Sequence, residues 1–117
     1  MGKPNTLKID EVEYVRADSV KPPEPIIINS ETGPWIVGKI YCIRTVTMID
    51  TGIVVGVFPN EIVLEEAAWI ADTGRFSDAI ACAEFGEVEP FPSGRVIIGR
   101  GAIIDAVEIS KVQRVKK

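Results

Sequence analysis

The sequence predicts an α+β, β-rich domain: a twisted antiparallel sheet or small barrel with one helix, about residues 74–85, packed on it. Three observations carry this. From Tyr41 to Leu64, short apolar runs are punctuated by Gly52, Gly56 and Pro59-Asn60, a spacing of strands and turns. Phe76, Ala79, Ile80 and Ala83 fall at i, i+3, i+4 and i+7, one face of a helix. Ile97-Ile98 and Ile103-Ile104 put apolar groups on both faces of two strands, which suggests burial on both sides. In a one-domain protein the second side is often another subunit.

Taken in order, Leu7–Arg16 alternates apolar and polar residues around Asp10-Glu11 and reads as a two-stranded element. Residues 17–33 hold Pro22, Pro23 and Pro25 and read as an irregular connector, because proline removes ladder donors. These first 33 residues precede a β-rich core over 34–110 and a basic tail over 111–117. Trp35–Thr47 resumes a strand pattern, broken at Gly38-Lys39. Asp50-Thr51-Gly52 has turn chemistry, since Asp bonds nearby amides and Gly permits positive φ. Ile53–Phe58 and Glu61–Leu64 are strands, with Gly56 at a bulge. Thr73 is the expected N-cap of the helix and Gly86 its stop. Arg95–Ile98 and Ala102–Ile109 are strands, expected to form a hairpin across Gly99-Arg100-Gly101.

Composition excludes several functions. The 117 residues fit one domain, and no apolar run approaches the roughly 18 needed to span a bilayer. Hydrophobic residues make up 46%, with a mean hydropathy of +0.19, so the excess is assigned to the core and a subunit interface. The first residues lead into no apolar signal segment, which predicts a cytoplasmic protein. The net charge of -4 disfavours general nucleic-acid binding, which needs clustered Lys and Arg. The basic residues Lys111, Arg114, Lys116 and Lys117 read as a frayed, solubilising end. The chain has no histidine, so Ser-His-Asp and Cys-His hydrolases and histidine metal sites are excluded. Cys42 and Cys82 form no CxxC and read as reduced, buried residues. No cofactor and no enzymatic activity are predicted. The acids match no metal-binding loop, and Glu87 and Glu89 read as one solvated strand face.

Four groups of residues are candidates for binding. Asp72-Thr73-Gly74-Arg75 stands at a helix start, where free amides attract phosphate or carboxylate. The alternative is plain capping, with Arg75 paired to Asp72 or Asp78. Arg44, Thr45 and Thr47, with Asp50-Thr51-Gly52, form the second group, and Arg44 lies inside an otherwise apolar strand. Arg44 either pairs with Glu61, Glu65 or Glu66, reaches solvent, or faces a ligand. Arg100 between two glycines reads as turn chemistry or as an anion contact. The aromatic residues Trp35, Trp69, Phe76 and Phe91 pack in the core or stack on bases.

The pattern Ile43-Arg44-Thr45, Gly52, Val54–Gly56, Glu61–Leu64, Ala67 and Trp69 continues through WIADTGRFSDAI, VEPFP and VIIGRGAIIDAVEI. It resembles a family of small β-rich proteins borne by phages and prophages, over about residues 33–109. The strand–Gly–strand–turn–strand order also looks like a Sm or SH3-type small barrel, which commonly forms rings. Some small phage oligomers of this kind sequester nucleotide signals of host defence between subunits. The resemblance therefore implies a homo-oligomer in the host cytoplasm that binds a small anionic ligand, a nucleotide, through Arg44, Thr45, Asp72, Thr73, Arg75 and Arg100. The competing reading is a self-assembling structural component of a virion or other particle, without a ligand.

Overall fold

The computed structural model describes residues 6–9, 12–15 and 32–117. β1 (Thr6–Ile9) and β2 (Val12–Val15) pair antiparallel, Thr6 opposite Val15 and Ile9 opposite Val12, as the alternating pattern predicts. The proline-rich connector lies outside the described residues.

The main sheet is built from β3 (Ile40–Thr45), β4 (Ile49–Val57), β5 (Glu61–Asp72), β6 (Glu87–Pro90), β7 (Val96–Gly99) and β8 (Ile103–Glu108). Its order is β6-β5-β4-β3-β8, and β7 pairs with the first part of β5. All pairings are antiparallel. β7 and β8 therefore sit on opposite sides of the sheet, yet only the 3-10 turn Arg100–Ala102 separates them. Three residues reach at most about 11 Å, so the sheet must curl until its two sides nearly meet. The curl stays open: no ladder joins β7 to β8. Arg100–Ala102 is thus a corner between the sides of the sheet. It is not the hairpin turn that local spacing suggests, since each strand finds a better partner elsewhere. The turn is fastened at both ends, by Arg100 N–H on Asn60 O (2.9 Å) and by Val46 N–H on Ala102 O (3.0 Å).

The curl gives the sheet two buried faces. Inside lie Tyr41, Ile43, Val54, Ile62, Leu64, Ala67 and Ile98, with Val57, Ile103 and Ala106 against them. Trp35 closes one end, its ring 5.1 Å from that of Tyr41 in an edge-on arrangement. The outer face carries Cys42, Ala68 and Ile70, covered by Ala79, Ala83, Phe85, Val88 and Ile109.

β5 serves both cores because it contains an extra residue. Its register passes from Glu65 opposite Ile53 to Ala68 opposite Thr51, three steps against two. Glu66 takes the left-handed conformation, φ 53°. This bulge shifts the side-chain alternation, so Ile62 and Leu64 point inward while Ala68 and Ile70 point outward. A second bulge lies between Val54 and Gly56, as expected for Gly56. Asp50-Thr51-Gly52, read as a turn from its composition, lies inside β4; the turn is Val46–Met48. Gly52 is required for close approach, since a Cβ there would stand 3.0 Å from Leu64 Cβ and 3.1 Å from Glu65 O.

The helix is shorter than predicted. α1 spans Phe76–Cys82, with Arg75 at its N-cap and no side-chain cap. Thr73 does not cap it: its hydroxyl donates to Gly74 O at 2.7 Å. Ala83, at φ 52°, ends the helix three residues before Gly86. Gly86 instead lets the chain pass close to Asp72, whose carbonyl would lie 3.2 Å from a Cβ. Cys42 is buried as expected, but Cys82 is exposed, because it lies off the apolar face of α1.

The C-terminal residues are not a frayed tail. Lys117 exchanges two backbone hydrogen bonds with Val88, covering the outer edge of β6. Gln113 is buried and donates to Ala83 O at 2.9 Å. Lys111 and Lys117 pair with Glu84, Lys116 with Glu89, and Arg114 with Glu66. Acids at the right spacing, and a sheet edge in need of a cover, hold the segment down. Arg114 also donates to Ala67 O, so it grips both residues of the β5 bulge. Arg114→Ala is expected to cost about 1–3 kcal/mol, the range for stranding a partly buried polar group. Urea unfolding of the variant checks this, and a change within ~0.5 kcal/mol would show that the bulge holds without it.

Candidate functional site

Arg44 is the best-defined polar feature of the surface. β3 presents it on the outer face, opposite Asp105 of β8. Nε donates to Asp105 Oδ1 at 2.8 Å and Nη2 to Oδ2, a forked pair. The guanidinium lies 4.9 Å from the centre of the Phe76 ring. The hydrogen bond from Arg44 holds the Asp105 carboxyl below its ordinary range. The sequence offered Glu61, Glu65 and Glu66 as partners; the fold supplies Asp105, because β8 and not β5 lies beside β3. Glu65 is taken by Arg95 and Glu66 by Arg114.

Two open grooves meet at Arg44. One, of about 440 Å³, is bordered by Arg44, Thr45, Val46, Met48, Trp69 and Ile104. The other, of about 500 Å³, runs between α1 and β8, with Phe76, Ile80 and Val107 on its walls. Thr45 is committed to the turn: its hydroxyl donates to Met48 O at 3.1 Å and accepts from Met48 N–H at 3.0 Å.

The other predicted site residues do not join Arg44 in one pocket. Asp72 Oδ1 accepts from Gly74 N–H at 2.8 Å, and with Thr73 it shapes the loop before α1. A seven-residue helix has too short a column of peptide dipoles to make a strong anion site. Arg75 is exposed and makes no ion pair among the described residues. Arg100 donates from Nη1 to Phe58 O at 2.8 Å and locks the corner onto the β4–β5 turn. Its flanking glycines are exposed. Trp69 and Phe76, expected in the core or on a ligand, are each partly exposed beside these grooves.

Asp50, grouped with Arg44 in the sequence but read as turn chemistry, is a buried strand residue. It is 7% exposed on β4, between Ile43 and Trp69 in the ladder, and its Oδ1 has no hydrogen-bond partner among the described residues. Burial pushes its carboxyl up to about 6. Thr51 Oγ1, facing the outer core, is also unpaired. Reading DTG as a turn hid the burial of both. Burial likewise pushes the Cys42 thiol up to about 11, which makes it a poor nucleophile.

Among the described residues no cluster of three Cys, Asp or Glu is arranged to hold a metal ion, and no helix is long and apolar enough to cross a membrane. Compared with known proteins, the chain matches no protein-family model, no curated protein and no solved structure.

Proposed function

We propose that this protein is a non-catalytic, homo-oligomeric accessory protein of the phage type that acts by assembling with its own copies, as a structural component of a particle. One observation carries the reading. Val46 is 70% exposed, Ile104 63% and Met48 50%, and all three border the same groove beside Arg44. Aliphatic side chains gathered at that level of exposure mark an interaction surface. The arginines fit this reading, since Arg44, Arg95, Arg100 and Arg114 are spent on internal contacts.

Sequestration of a small anionic ligand is the second reading. It draws on Arg44, which borders a groove that also holds Thr47 and Trp69. Light scattering and native mass spectrometry of the purified full chain at micromolar concentration separate the two. Assembly without a bound small molecule is the expected result. A stoichiometric adduct of nucleotide mass would put the second reading first, and a bare monomer would overturn both.

A further inference from the structure

We infer that the copies meet edge to edge along β8, two β8 strands pairing antiparallel about a two-fold axis at Val107. The inference rests on the self-assembly reading and names its interface.

The sheet treats its edges differently. β6 is covered by Lys117, whereas among the described residues β8 has a neighbour on one side only, β3. The ladder fixes which groups of β8 are left over. Ile109 N–H donates to Ile40 O, and this register continues through Val107 opposite Cys42 and Asp105 opposite Arg44. Antiparallel ladders alternate bonded and non-bonded pairs. The N–H and C=O of Ala106 and Glu108 therefore point away from β3, and among the described residues nothing meets them.

Such edges are often guarded by charged side chains. On β8 the two charges, Asp105 and Glu108, are each engaged by a cation of their own chain. Asp105 pairs with Arg44 of β3, and Glu108 with Lys39 just before β3. Two β8 strands can approach without like-charge repulsion between free carboxylates. Their outward amides fit one another when Ala106 faces Glu108 of the second copy, in both directions. That register sets Val107 opposite Val107 of the second copy as a non-bonded pair, with Cα atoms about 4.5 Å apart. The apolar groove between α1 and β8 runs along this edge, so the same contact covers it. A second copy is thus the occupant for which backbone, charge and apolar surface all match.

Two variants of the full chain test the interface. Ala106→Pro removes an outward amide and leaves the bonds to β3 in place, because proline is tolerated where its nitrogen faces the free edge. Light scattering is expected to show its mass falling at least twofold below that of the unaltered chain. Val107→Cys, made with Cys82→Ser and with Cys42→Ala to remove the thiol opposite position 107 in β3, brings two thiols of different copies within the span of a disulfide. Mild oxidation is expected to yield a covalent dimer on a non-reducing gel. An assembled chain whose Ala106→Pro variant is folded and keeps its mass would overturn the β8 interface while leaving self-assembly standing. So would an assembled Val107→Cys protein that does not cross-link, and this second test decides if Ala106→Pro fails to fold. A monomeric unaltered chain would overturn both readings.

Discussion

Replacing Phe85 by alanine is expected to cost about 3–5 kcal/mol, the range for emptying a fully buried aromatic site. Phe85 is 1% exposed and has the largest of the fully buried side chains. It follows the left-handed exit of α1 at Ala83 and packs with Cys42, Ile70, Ala79, Val88 and Ile109. Sheet, helix and β6 therefore meet on one ring. Small neighbours such as Ala68, Ala79 and Ala83 cannot fill the space it would leave. Domains of this size are stable by about 5–15 kcal/mol, so the loss consumes much of the total. Guanidinium unfolding should show a lower midpoint with an unchanged slope. A loss below ~1 kcal/mol would mean that the outer core does not hold α1 to the sheet.

Asp50→Asn is expected to act in the opposite direction, stabilising the protein above about pH 6. The buried Asp50 carboxyl is raised to about 6, against an unfolded value near ~3.9. Between these values the folded chain holds the extra proton. The contribution of Asp50 is therefore fully present below ~pH 4, falls as pH rises through about 6, and is level above. Its size is about 2–3 kcal/mol, from roughly two pKa units at 1.36 kcal/mol each. Asparagine keeps the shape and removes the ionisation, so the variant should match the unaltered chain near pH 4 and exceed it at pH 8. Asp105 and Glu84 work the other way. Arg44 holds the first, and Lys111 and Lys117 the second, below the ordinary range, so their contributions disappear only in acid. The unaltered chain is thus expected to be most stable near ~pH 5. Melting temperatures of both proteins from pH 4 to 8 check this; parallel curves would show that Asp50 reaches water.

Periodicity was readable wherever one element buries one face. Ala79 and Ala83 fall on the buried face of α1 because helical spacing is a local property. The strands around Gly56 were readable for the same reason, and the alternation over 6–9 and 12–15 agrees with the pairing of β1 and β2. Misreadings fell where composition and context disagree. Asp50-Thr51-Gly52 has the residues of a turn, but β3 and β5 flank it on both sides and hold it extended. The Thr73 hydroxyl turns to Gly74 O, so α1 starts at Phe76 without a side-chain cap. Of the candidate site, Arg44 was visible as a charge inside an apolar strand; its partner was not, because strand order decides it.

The chain by itself therefore determined a β-rich domain with one helix and the chemistry that lack of histidine forbids. These follow from residue types and their spacing. The burial on both faces expected for Ile97-Ile98 and Ile103-Ile104 is not met within the chain, where Ile97 and Ile104 are exposed. Only the tertiary structure decided that β7 and β8 part to opposite sides of the sheet, that Glu66 shifts β5 between two cores, and that Lys117 closes one edge while β8 is left without a second neighbour among the described residues. Each depends on which strands become neighbours. That choice is made by contacts between residues far apart in the chain, which local spacing does not encode.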